Sequence, residues 1–407
     1  MPKVFFGVVD DMEQDKVTST DLKRFNFGNV FAEVYSKREL SKQSLAGSLH
    51  LSMPTVNQAL KRMDELRLIR RDGLFQSTGG RRAQIYRFNS TARIAVGAEL
   101  LKGQLRILSC DLFGNIISEL TVPEPFAATE QYYKKLGGYI DRFVHALDYP
   151  REDVLGAMVS VQGLLSADGV VSYSEIYNCI GLSAADLQPY IPLPCFLVHD
   201  SESSAFAELW FRPEIREGVL LILNRYFGGA LMLDGKVYQG KAFPSGILEH
   251  ICLDPNGPPC YCGKRGCIET FCSADSLRRQ AGEGLDTFFF HLRQGDAARR
   301  KIWDEYLQYL ALAIDNIRTL IDCDFIIGGD LLHSMEDEDF AHLERLVQAR
   351  CSFSTQPFHL CRSCCGAKAA ALGAALLLVE QFLTDTGFNM ERCKKGHPHA
   401  PTLLSQP

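Results

Sequence analysis

Apolar residues recur with mostly helical spacing at Val30, Val34, Leu40, Leu45 and Leu49, and residues 47–51 offer only a short break before the next helix. Ser52 and Pro54 then arrive together, a hydroxyl suited to capping a helix and a proline whose missing N–H costs nothing in a first turn. The pattern predicts a helix over 55–68, with Val56, Leu60, Met63 and Leu66 or Arg67 on its inner stripe. Its other face carries Thr55, Asn57, Gln58, Lys61 and Arg62. The stretch 69–75 and the strand-like 84–88 are joined through Ser77-Thr78-Gly79-Gly80-Arg81-Arg82, so a two-stranded wing is expected to follow the helices.

Beyond this segment the periodicity changes. Strand-like runs at 94–100, 104–109 and 116–122 turn at Lys102-Gly103 and Phe113-Gly114-Asn115, as a meander of hairpins does. A helix is expected over 130–147, with Leu136, Ile140, Phe143, Val144 and Leu147 on one side. Short apolar strands at 154–161, 195–198, 219–223 and 325–327 alternate with helical stretches, notably 201–211, 297–321 and 367–383. Such alternation predicts an α/β body. With 407 residues the chain is too long for one compact core, and two or three domains are expected. The polar, proline-containing stretch 388–407 reads as a disordered tail.

Composition adds little until charge is mapped. At 46% apolar and 23% charged residues the chain is ordinary for a soluble protein. No apolar run approaches the eighteen or so residues of a membrane helix, and the first fifteen residues carry acids where a signal peptide starts basic. A cytoplasmic protein without membrane contact is expected. Residues 36–90, however, hold 11 Lys and Arg against 4 Asp and Glu, a net of +7 that leaves −13 for the rest of a chain totalling −6. A basic module on an acidic body fits nucleic-acid binding; a solvated basic face has the same composition. The helical pattern favours the first reading, because Ser52, Thr55, Asn57, Gln58, Lys61 and Arg62 suit base edges and phosphates in a major groove. Gly79 and Gly80 allow close backbone approach, and Arg81 and Arg82 suit a narrow minor groove. Double-stranded operator DNA is the expected partner.

The most specific chemical signal lies in the cysteines. Four of the fourteen fall between Cys260 and Cys272. Cys260, Cys262 and Cys267 supply three thiolates in eight residues with glycines between them, and His250 precedes by ten. Three cysteines and one histidine close a tetrahedral structural Zn2+ site and leave no position for a catalytic water. Cys361, Cys364 and Cys365 read as buried free thiols, with a second metal or an oxidant response as the alternatives. Cys393, His397 and His399 receive no function.

Two motifs carry a family resemblance. Leu45-Ala46 through Thr55-Val56 with the Gly-Gly-Arg-Arg loop, and Cys260-Tyr261-Cys262-Gly263-Lys264-Arg265-Gly266-Cys267 with Glu269 after it, resemble the transcriptional regulators of the ROK family. The resemblance spans roughly 22–383. It implies a winged helix-turn-helix over 1–90 followed by a two-lobed, actin-like sugar-kinase fold. The first lobe would be 91–198, completed by the helix 367–383, and the second 199–366 with the zinc site. It also implies sugar-binding positions at Gly163, His199, Asp200, His250 and Glu269, with Asp200 where the family's kinases hold their base.

Departures from the family pattern point away from catalysis. Where its kinases have Asp-x-Gly-Gly-Thr, this chain has Val96-Gly97-Ala98-Glu99-Leu100, and the second phosphate turn reads Asn224-Arg225-Tyr226-Phe227-Gly228-Gly229. No ATP is expected, and no enzyme. His199 replaces asparagine, Gln162 replaces proline, and Ile247 replaces the glutamate of Gly-Glu-x-Gly-His, removing one acceptor from the expected pocket. The expectation is a carbohydrate-responsive repressor acting as a homodimer or dimer of dimers. A sugar kinase with a DNA-binding head, and a regulator that reads a protein partner, are the alternatives.

Overall fold

The computed structural model describes residues 18–75, 83–174, 176–240, 246–351 and 359–387. Its amino-terminal head consists of helices Ser19–Lys37, Lys42–Leu49 and Met53–Glu65 beside a three-stranded sheet of Glu39–Leu40, Gln84–Phe88 and Ile69–Leu74, in that order. The middle helix runs on through Gly47 and stops where His50 turns left-handed at φ 52°. Ser52 accepts the Thr55 N–H at 3.4 Å and Pro54 sits in the first turn, so the third helix starts as its sequence dictates. It stops at Glu65, earlier than the apolar spacing suggests, because Arg67 adopts φ 60° and reverses the chain. Phe31, Val34, Leu45, Val56, Met63 and Leu68 fill the interior, each with no exposure at all. Gly79, Gly80, Arg81 and Arg82 lie outside the described residues.

The body contains two five-stranded sheets of the same topology. In the first, Ile94–Leu100, Leu105–Asp111 and Ile116–Val122 form an antiparallel meander, and Val154–Val161 and Cys195–His199 add in parallel beyond the opening strand. In the second, Gly218–Leu223, Phe227–Leu233 and Lys236–Val237 form the meander, while Asp324–Gly328 and Leu360–Arg362 add in parallel. The two lobes of the expected fold are therefore present, repeated in topology without evident repetition in sequence.

Two helices join the lobes. Asp200–Phe211 leaves the last strand of the first sheet and packs along Ala369–Asp385, which also covers the face of that sheet. Close approach is enforced at two glycines: a Cβ on Gly97 would overlap the Ala371 carbonyl oxygen, and one on Gly373 would overlap that of Ser203. By length and composition the stretch Gly366–Asp385 is the one described helix able to pass for a membrane span. In the fold it is core, with Leu372, Ala374, Ala375, Leu376, Val379 and Leu383 no more than 1% exposed. The second lobe has a separate aromatic interior in which Trp303 and Tyr306 stack at 5.2 Å.

Candidate functional site

Between the lobes lies a cavity of about 420 Å³, within the range of small-molecule sites. Gln162 and Gly163 line it from the first lobe, His199 and Asp200 from the start of the connecting helix, and Asn224, Tyr226, Glu249 and His250 from the second lobe. Asp200 opens the helix Asp200–Phe211 and its Oδ1 accepts the Ser201 N–H at 2.8 Å, while His199 Nε2 lies 3.3 Å away. Burial pushes the Asp200 carboxyl up, and the neighbouring His199, the Ser201 hydrogen bonds and the Gln162 amide pull it back. This carboxylate can accept a ligand hydroxyl or take its proton.

Gly163, His199, Asp200 and His250 thus line one cavity. Glu269 does not. It sits in the short helix Ile268–Cys272, 4% exposed, where Oε2 accepts the Phe227 N–H at 2.7 Å and so secures the first strand residue after the second turn. Burial raises its carboxyl to about 7 despite that bond. The acceptor expected to be missing at Ile247 is replaced from two residues further on: Glu249 lines the cavity and is pushed up to about 8, by burial first and then by the charges of Asp200 and Glu269. Its presence before His250, where the family pattern has glycine, was the available signal.

The zinc-type turn forms one wall of the cavity through Tyr261 and Cys262. Ligand atoms of His250, Cys260, Cys262 and Cys267 all lie within 4.8 Å of one another. Cys262 Sγ and Cys267 Sγ are 3.7 Å apart, and Cys260 Sγ is 3.6 Å from His250 Nδ1. Zinc–sulfur bonds of about 2.3 Å give tetrahedral sulfur–sulfur edges of about 3.8 Å, so the donor set fits a metal ion of that size. Gly263 and Gly266 take φ 84° and 65° to wrap the turn. Burial, and then the Lys264 charge, push the His250 imidazole pKa down, the direction that favours the neutral ring a metal ligand must be. Burial opposes ionisation of Cys262, but hydrogen bonds and the Lys264 charge outweigh it and lower that thiol.

A second, much smaller cavity lies on the other side of Asp200. Glu99 points into it, 3% exposed, and pairs with Arg106 at 2.6 Å; Arg106 also donates to the Ala367 carbonyl. Glu99, Asp200, Gly328, Gly329 and Ser363 surround only about 20 Å³ there, room for a single water. The two turns that would hold phosphates bond elsewhere: Lys102 Nζ donates to Tyr226 Oη at 3.0 Å, and Asn224 Oδ1 accepts the Asp330 N–H at 2.7 Å.

On the head, Asn57, Gln58 and Lys61 are exposed along one face of the helix Met53–Glu65. Thr55 is half-buried beside Ser52, their hydroxyls 2.9 Å apart, and the Arg62 guanidinium lies 4.5 Å over the Phe27 ring. Ser52 and Thr55 therefore spend hydrogen-bonding capacity on the cap, and Arg62 is positioned by stacking.

Comparison with known proteins agrees with this architecture. The family model described as "ROK family" matches residues 103–381. The chain belongs to the ROK family. N-acetylmannosamine kinase of Salmonella typhi is 30% identical over 199 residues, covering 47% of this ROK chain and 67% of the kinase. A solved ROK family transcriptional regulator, a homologue of the E. coli MLC protein, superposes with TM-score 0.73 at 23% identity over 92% of this chain and 100% of its own. The ROK hexokinase of Thermus thermophilus gives TM-score 0.60 at 22% identity over 72% of this chain and 99% of its own.

Proposed function

We propose that this ROK protein is a transcription regulator whose head binds double-stranded operator DNA and whose cleft takes a carbohydrate effector without phosphorylating it. Glu99 carries the choice of regulator over kinase. The buried Glu99–Arg106 pair at the first phosphate turn occupies the space a nucleotide's phosphates would need. The likeness to the regulator structure extends over 92% of the chain, whereas the hexokinase likeness covers 72%. Asp200, kept at the kinase base position, then serves as an acceptor for a sugar hydroxyl. The kinase reading retains support from the 30% identity to N-acetylmannosamine kinase.

Within this reading Asn57, Gln58 and Lys61 face the major groove, Ser52, Thr55 and Arg62 sit at its edge, and Arg81 and Arg82 with Gly79 and Gly80 reach the minor groove. His250, Cys260, Cys262 and Cys267 hold a structural Zn2+ that braces the cavity wall. Two heads in a cytoplasmic homodimer span two half-sites, and the effector shifts their relative placement through unequal affinity for two states of the body. Repression rests on the family resemblance.

Selection of genomic DNA fragments by the zinc-loaded protein at fixed salt, with and without a pool of sugars and sugar phosphates, tests this. A few inverted repeats released by one sugar are expected, and Arg81→Ala with Arg82→Ala should weaken their binding at least tenfold. Binding that depends on salt alone, without sequence preference, removes the operator claim. Phosphorylation of a sugar by ATP that is lost in Asp200→Asn would establish the kinase instead.

A further inference from the structure

A second group of metal-binding side chains lies at the junction of the two lobe-joining helices, apart from the zinc-type turn. Glu208, on the helix Asp200–Phe211, is fully buried. Its Oε1 accepts the Ser363 hydroxyl at 2.5 Å, and its Oε2 lies 3.2 Å from Cys364 Sγ. Cys364 and Cys365 Sγ are 3.7 Å apart, close to the tetrahedral sulfur–sulfur edge found in the first site. The three ligand atoms all fall within 4.8 Å of one another.

We propose that Cys364, Cys365 and Glu208 form a second metal site, which takes a thiophilic divalent ion such as Zn2+ or Cd2+. Geometry carries the argument: two sulfurs at a tetrahedral edge distance and a buried carboxylate oxygen beside them form the donor set of a thiophilic ion. Arg212, 3.9 Å from Glu208 Oε2 and donating to Cys361 Sγ at 3.0 Å, holds the carboxylate side of the cluster in place. Soft sulfur donors select a thiophilic ion over calcium or magnesium. Cys364 is only half-buried, which gives the ion a way in.

Position gives the site a consequence. Glu208 shares a helix with Asp200 of the cavity, and Cys364-Cys365 precede the helix Ala369–Asp385 that runs to the head. An ion here would fasten the two helices together.

The test uses the full chain, reduced and dialysed free of metal, titrated with Cd2+ and followed by thiolate-to-cadmium absorbance and by cadmium-113 NMR. The wild type should take up two equivalents with separate resonances, one for three sulfurs and a nitrogen and one for two sulfurs and oxygen. Cys364→Ser with Cys365→Ser should take up one equivalent, whereas Cys252→Ser should still take up two. Glu208→Gln, which preserves shape, should weaken the second site at least tenfold and leave the first unchanged, and it serves if the double serine variant folds poorly. Saturation of the wild type at one equivalent, or a second equivalent that survives the double substitution, overturns the proposal.

Discussion

Individual side chains decide what the cleft can bind. Glu99 is the clearest case, because a buried carboxyl raised to about 7, chiefly by desolvation and against the pull of Arg106, stands at the turn that the family resemblance assigns to phosphate. Its linkage has a definite sign: the folded state holds this proton more tightly than the unfolded state, so stability falls as pH rises from the unfolded value near 4.5 through 7. Glu99→Gln removes that dependence. Urea unfolding at pH 5 and pH 8 should show the variant gaining on the wild type by up to about 3 kcal/mol at the higher pH. An equal difference at both values would mean that Glu99 stays ionised throughout. Cys262→Ser acts on the opposite wall by removing one of four donors. It should lower zinc content by one equivalent per chain and lower the melting temperature markedly, since structural zinc contributes on the order of 10 kcal/mol in small sites. A wild type purified without zinc, and indifferent to chelators, would refute the site.

Elements follow from sequence where burial writes an unbroken apolar run. The strands Ile94–Leu100 and Val154–Val161 have the limits the pattern predicts, because hydrophobic stretches bounded by turns have little other use in a body of this kind. The third head helix was legible at its start, through Ser52 and Pro54, and illegible at its end, because nothing in the residue type announces the left-handed turn at Arg67. The cavity was half legible. His199, Asp200 and His250 stand where the motif puts them, but Glu249 replaces the missing acceptor from another position and Glu269 turns to a backbone N–H, which only three-dimensional packing decides. Helix contact was equally hidden. Gly373 looks like a mild fault in an alanine-rich helix, yet its missing side chain is what lets Ala369–Asp385 touch the Ser203 backbone. Gly373→Ala should therefore cost at least about 2 kcal/mol in urea unfolding, although alanine is intrinsically the better helix former. A stabilised variant would show that the two helices separate at little cost.

For the whole molecule the question is how the cleft reaches the head. One continuous apolar cluster contains Phe31 and Tyr35 of the head together with Leu372, Leu376 and Val379 of the long core helix. Tyr35 donates to the Leu112 carbonyl at 2.8 Å, and Phe113 lies against both Tyr35 and Phe88, at 4.9 and 5.3 Å between ring centres. Beside this contact Asp153, its side chain 6% exposed, receives Arg67 at 2.5 Å and Arg93 at 3.0 Å. Arg67 is the residue whose left-handed turn closes the helix Met53–Glu65, so that helix is tied directly to the first lobe at the foot of the strand Val154–Val161. Any effector that moves the lobes can bias the head only through contacts of this kind, and coupling between two such sites is typically 5- to 150-fold in affinity. Asp153→Ala cuts the polar tie and leaves the aromatic contact in place. With the released operator fragment as probe, the ratio of DNA affinities without and with effector should fall to within about twofold of unity, while zinc content and effector affinity stay near wild type. An unchanged ratio would assign the coupling to the aromatic contact, and Tyr35→Leu would then be the substitution that abolishes it.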